Sequence, residues 1–140
     1  MKNQHFAILK KKKNNSSAYG VLYNWYAVND PRGLAPDGFH IPTSDEWNAL
    51  IKQLGGKKIA GKKIKIQEHK GTNDVNFSGL VAGKRDFMGF SSNISNWWTS
   101  SLTLKGINSA MSVSIGLDDE DIEISGNGKS TGNYVRCIKN

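Results

Sequence analysis

Cysteine, proline and arginine are scarce in this chain, and long hydrophobic runs are missing. With a single cysteine, Cys137, no internal disulfide forms and no multi-cysteine zinc site can be assembled. No apolar stretch approaches the roughly 20 residues of a membrane helix, so membrane insertion is not expected. After Met1–His5 only Phe6-Ala7-Ile8-Leu9 precede the first lysine run, short of the about 7–15 apolar residues of a secretory signal. There are three arginines, and phosphate readers favour the bidentate guanidinium fork. No nucleic-acid motif is found either, so no nucleic-acid partner is expected.

What remains is a chain of 140 residues, 37% hydrophobic and 22% charged, with 15 glycines and four tryptophans. That length buries a sizeable core in one domain without a covalent staple. It is too apolar for disorder and too interrupted by Gly and Ser for a helical bundle. The net charge is +7 and unevenly spread: residues 1–70 carry 13 Lys/Arg against 5 Asp/Glu, residues 71–140 carry 6 against 7. The excess sits in Lys10–Lys13 and in the 57–65 stretch. A footprint for an acidic partner and a merely solvated lysine face are both open, and the charge alone does not choose between them.

Residues 5–9 read as a short opening strand, and 10–18 as a Lys-rich polar loop ahead of a main domain at 19–140. Tyr19–Val28, rich in aromatic and β-branched residues, reads as a strand or a buried irregular segment. Pro36 and Pro42 keep residues 34–42 extended. A helix is predicted over 43–54. Thr43 or Ser44 supplies its N-cap, Thr43 to Glu46 fits a capping box, and Trp47, Leu50, Ile51 and Leu54 share one face. Further on, Met111, Val113, Ile115 and Leu117 alternate with Ser112 and Ser114, and Ile122 and Ile124 follow the acidic tip Asp118–Asp121. That is a β-hairpin with an apolar and a polar face. A last strand, Tyr134–Ile138, is placed antiparallel to residues 5–9. One main helix among short antiparallel strands and long Gly-rich loops is an α+β plan.

Candidate chemistry is thin. His5, His40 and His69 lie far apart without a motif, and Cys137 alternates within an apolar strand as a small buried hydrophobe does. No catalytic residue is assigned, and the chain is read as non-enzymatic. Asp118–Asp121 offers hard oxygen ligands for Ca²⁺ but lacks the spaced ligands and central Gly of a calcium loop. No metal or other cofactor is otherwise expected. Gly126–Thr131 resembles the end of a phosphate loop, yet Glu123 stands where its first Gly is required, so it reads as a turn. Trp97 and Trp98, adjacent on a strand, point to opposite sides: either one faces a groove or both are packed.

Several phrases together closely resemble the Fibrobacter succinogenes major paralogous domain family. They are Tyr19–Val28, Pro31–Thr43 with Glu46-Trp47, Ala60–Lys65, Phe77–Leu80, Gly83–Arg85, Trp97–Ser101 and Val135-Arg136-Cys137, in the family's order over residues 19–139. The family is similar to the C-type-lectin-like fold of formylglycine-generating enzymes and of variable proteins diversified by retroelements. The resemblance implies a domain whose first and last strands pair, with a binding face on loops and strands of the last third. It also implies display at a cell surface. The family's usual cysteine pair is reduced to Cys137, and its usual N-terminal signal and longer leader are not seen. Both departures favour a virion component over a secreted lipoprotein and leave the formylglycine-generating chemistry without its cysteines.

The expected function is ligand recognition or adhesion at a cell or phage virion surface, with a carbohydrate or protein as ligand. Strand alternation selects Asn93, Asn96, Trp98, Ser112, Ser114, Asp118, Asp119, Glu123 and Asn127 as the exposed binding residues. The alternative is a structural subunit, a decoration or fibre component, bound to other copies of itself or to another virion protein.

Overall fold

The computed structural model describes residues 6–7 and 19–140. It is an α+β arrangement of small antiparallel sheets and short helices. The Lys10–Lys13 run, His5 and the remainder of the predicted 5–9 strand lie outside the described residues.

Strand β1 (Phe6–Ala7) pairs with β2 (Leu22–Tyr23), and β2 leads into a single helical turn, α1 (Trp25–Val28), capped by the Asn24 side chain. The predicted pairing of first and last strands is corrected here. The C-terminal strand β9 (Ile138–Lys139) pairs instead with β3 (Phe39–His40). Tyr23 bridges Asn133 on its other side, so β2 stands between the N-terminal strand and the returning chain.

The predicted capping box is present. Thr43 accepts from the Glu46 backbone N–H, Glu46 accepts from the Thr43 backbone N–H, and α2 runs over Ser44–Gln53 with Leu54 as its C-cap. A second helix, α3 (Lys57–Ile64), adds to the one main helix predicted and lies in the basic 57–65 stretch. Its apolar side holds Ala60 and Ile64, both fully buried, and Gly61 presses on the loop at 120–121. The last carbonyls of α3 are satisfied from outside: Lys62, Lys63 and Ile64 accept from the N–H groups of Thr72, Asp74 and Gly79.

A hairpin, β4 (Lys84–Asp86) and β5 (Gly89–Ser91), precedes the main sheet of β6 (Ile94–Leu102), β7 (Ser109–Gly116) and β8 (Glu123–Gly128). The predicted hairpin at 111–125 is present, with Val113 opposite Ile124 and Ser114 opposite Glu123. Its second face, however, is not solvated. Trp97, Val113 and Ile115 face α2 and α3, while Trp98 and Ala110 face Trp25, Val28 and Ile41 in a second core. Both adjacent tryptophans are therefore buried, one in each core. The register shifts between Trp98 and Leu102, and this irregular stretch receives the start of α2: Ser44 N–H donates to Ser101 Oγ and Ser100 N–H to the Pro42 carbonyl.

Candidate functional site

The residues selected from strand alternation divide in the structure. Asn96, Trp98, Ser112, Ser114, Glu123 and Asn127 do share one face of the main sheet, as the pairings Asn96–Ser114–Glu123, Trp98–Ser112 and Ala110–Asn127 require. That face is largely covered, which corrects three of the choices. Asn96, Trp98 and Ser112 are at most 1% exposed. The physical reason is the second core, in which Trp25, Val28 and Ile41 pack with Trp98 and Ala110 on this face. The chain at 131–135 closes the edge of β6, Trp98 N–H donating to the Tyr134 carbonyl and Tyr134 N–H to the Asn96 carbonyl. The Trp98 indole donates to the Tyr23 carbonyl at 2.7 Å, and the Asn127 amide donates to Ser112 Oγ at 2.9 Å. Ser114 and Asn127 stay half-buried, and Asn93, Asp118, Asp119 and Glu123 are exposed.

The acidic tip has internal partners. Lys65, 1% exposed, drives its ammonium under the turn and donates to the main-chain oxygens of Gly116, Leu117 and Asp119. Asp118 pairs with Lys70, and Glu120 pairs with Lys62 at 2.6 Å. Burial pulls the Lys65 pKa down, against the opposing pull of Asp119, Asp118 and Glu120. Lys70 in turn lowers the Asp118 pKa, first through its hydrogen bond. A lysine thus occupies the carbonyl cage, and no group of three or more metal-ligating His, Cys, Asp or Glu side chains converges among the described residues. The phosphate-loop likeness is likewise structural: Lys129 donates to the Gly106 and Ile107 carbonyls and lies 5.0 Å over the Trp25 ring.

A different surface feature is better formed. Two depressions meet at Phe77 and Arg136. The first, about 370 Å³, runs along α2 between Pro42, Glu46, Trp47, Ala49, Leu50 and Gln53 on one side and Phe77, Arg136 and Ile138 on the other. The second, about 440 Å³, is bounded by residues 19–23, the 77–80 loop, Trp97 and residues 134–136. Sharing Phe77 and Arg136, they form two lobes of one groove, the first mainly apolar, the second aromatic and polar.

Local chemistry fixes the divide. Phe77 packs edge-on against Trp97 and tilted against Trp47, with centroids 5.7 and 5.6 Å apart. It stands between two residues in left-handed backbone, Asn76 (φ 54°) and Ser78 (φ 56°). Non-glycine residues pay roughly 1–2 kcal/mol for that conformation. The Asn73 side chain braces the loop, accepting from Ser78 N–H at 2.7 Å and donating to Ser78 Oγ at 3.1 Å. The Arg136 guanidinium lies 4.7 Å over the Phe77 ring and has no carboxylate partner among the described residues. Glu46, the acid in the same lobe, is committed elsewhere: it accepts from His40 Nε2 at 2.8 Å and from Thr43 N–H at 2.8 Å. In the second lobe burial pushes the Tyr134 hydroxyl up to about 12, and that hydroxyl donates to the Ala82 carbonyl.

Comparison with protein families matches residues 1–139 to the Fibrobacter succinogenes major domain. The chain belongs to the Fibrobacter succinogenes major domain family. Comparison with curated proteins and with solved structures gives no match. In this member of the family the groove is built from the same phrases that carry the sequence resemblance: Tyr19–Tyr23, Glu46-Trp47, Phe77–Leu80, Trp97 and Val135-Arg136. That convergence was the available signal for Phe77, which lies on no regular strand, and for Arg136, which falls in the predicted last strand Tyr134–Ile138 whereas the strand observed there is only Ile138–Lys139.

Proposed function

We propose that this Fibrobacter succinogenes major domain is a non-enzymatic recognition or adhesion module on a C-type-lectin-like scaffold. It acts at a cell or virion surface, with a carbohydrate or protein as ligand. The observation that carries the reading is the two-lobed groove, whose combined walls place aromatic residues and a guanidinium without a carboxylate partner around an open concavity. Small-ligand sites have this character: mostly apolar walls with a few placed polar groups, and volumes of roughly 300–1,000 Å³. Cys137 adds support for a non-catalytic role, since burial raises its pKa and disfavours the thiolate a nucleophile needs.

Binding of the labelled domain to bacterial cells and surface polysaccharides, with and without a calcium chelator, tests this reading. Saturable binding that survives chelator and is lost in Ala49→Trp or Tyr19→Ala supports it. Both substitutions alter the groove wall at exposed positions. Binding unchanged in both variants moves the ligand elsewhere.

One observation favours a structural role beside this one. The β4–β5 turn exposes Phe87 (97%) and Met88 (84%), and the β6–β7 loop exposes Leu104 and Ile107. Apolar side chains held this far into solvent suit a protein–protein contact. A concentration-dependent mass that falls to the monomer in Phe87→Ser/Met88→Ser favours a self-associating assembly subunit.

A further inference from the structure

The geometry points to an acidic saccharide as the ligand of this groove, with its carboxylate on Arg136 and a sugar ring against Tyr19. This rests on the recognition reading and names the ligand class that reading leaves open. Arg136 is the anchor. Its guanidinium carbon lies 4.7 Å from the centre of the Phe77 ring, and none of its N–H donors has an acceptor among the described residues, so they remain for a carboxylate, which a guanidinium can engage bidentately. Glu46, the acid in the groove wall, has its oxygens bound by His40 and Thr43, so the guanidinium keeps its charge available for a ligand.

The second lobe favours a sugar over a purely apolar acid. Tyr19 lines this lobe and is 39% exposed, and an exposed aromatic ring suits the C–H face of a pyranose. The Ser78 hydroxyl and the main chain of Gly20 supply polar edges for hydroxyl groups. An apolar carboxylate would instead favour the first lobe, whose wall is Trp47, Ala49, Leu50 and Ile138. The net charge of +7 adds long-range attraction for a polyanion. That general attraction does not place the ligand, and the controls below separate it from the site.

The experiment is calorimetric or fluorescence titration of the whole chain at physiological salt. The probes are oligogalacturonate, oligoguluronate and hyaluronan fragments, each beside its carboxyl-reduced neutral form. Binding of at least one acid form, at least tenfold tighter than its neutral form, is expected. Arg136→Gln should remove that preference while the Tm stays within a few degrees, and Arg136→Lys should restore part of it. Lys58→Gln and Lys105→Gln, which remove the same charge at exposed positions, should bind as the wild type does.

Equal affinity for acid and neutral forms overturns the proposal, as does unaltered binding by Arg136→Gln or an equal loss in the lysine controls. Failure of all three acids to bind also overturns it. If cells are still bound while any of these results is obtained, the recognition reading stands and only the ligand class falls. If the folded wild type binds no cells and no polysaccharide, both fall together.

Discussion

The ammonium of Lys65 donates to the carbonyl oxygen of Gly116 at 2.9 Å, joining the end of α3 to a turn 51 residues further along the chain. With its bonds to Leu117 and Asp119 it fills the space beneath the acidic tip as a fixed internal cation. Together with Lys62–Glu120 and Lys70–Asp118, it turns part of the charge imbalance between the two halves of the sequence into contacts within the molecule. Exposed ion pairs contribute little. The buried lysine is different, because removing it leaves three carbonyl groups short of a donor.

Lys65→Met is therefore expected to destabilise the fold by about 2–4 kcal/mol, the range for breaking a buried charge-assisted network. Denaturant unfolding measures it. Lys62→Met and Lys70→Met, at exposed pairs, should cost far less. Equal costs at the three positions would contradict the internal-cation account.

Calcium should leave the melting temperature unchanged, since the turn carbonyls already serve Lys65 and two of the acids serve lysines. A thermal scan with millimolar calcium and with chelator checks this. Saturable stabilisation by calcium would mean that the tip opens and rearranges.

Gly61→Ala is expected to lower stability although alanine is the better helix former by about 1 kcal/mol. A Cβ at this position would lie 2.1 Å from the Asp121 carbonyl oxygen. The helix and turn would have to separate, weakening the bonds from Lys62 N–H to the Glu120 carbonyl and from Ile122 N–H to the Lys57 carbonyl. A net loss of roughly 1–3 kcal/mol follows from overpacking, and a gain in stability would show that the contact is not close in solution.

The His40–Glu46 pair gives a pH signature. His40 Nδ1 and Nε2 face Asn140 Oδ1 and Glu46 Oε1 at 2.6 and 2.8 Å, so the doubly protonated ring satisfies both. Its pKa is raised, first by Glu46 and then by Asn140. The Glu46 pKa is lowered, first by the Thr43 backbone and then by His40. The histidine contribution is complete below its ordinary 6.5 and is lost as pH rises through the raised folded value. The glutamate contribution is complete above its ordinary 4.5 and is lost as pH falls through the lowered folded value. His40→Gln should thus lose most stability relative to wild type between about pH 4.5 and 6.5, and converge with it at alkaline pH. A pH-independent difference would place the residue's role in packing.

How far the sequence revealed the molecule depends on the range of the interaction. The capping box at Thr43 and Glu46 and the hairpin about Asp118–Asp121 are local patterns, and both were legible. Helix α3 was not, because its lysines hide a short apolar face whose burial depends on Gly61 meeting a turn 60 residues away. Ser112 was misread for a related reason. Its alternation with Val113 is genuine, but the second face of the sheet is covered by Trp25, Val28 and Ile41, contributed from distant sequence. Ser112→Phe is accordingly expected to destabilise the domain, while Ser114→Phe, at a half-buried position, should cost less. The groove was hidden until folding brought Phe77 and Arg136 together, 59 positions apart by their numbers.

The measurement closest to the central claim is hydrogen exchange on the whole chain with and without a saturating bound polysaccharide. Protection concentrated at residues 19–23, 77–80 and 134–136 is the predicted result, with Asn93 and Asp118–Asp121 unaffected. Protection at the acidic tip and Asn93, with the 77–80 loop exchanging as in the free protein, would contradict recognition through this groove.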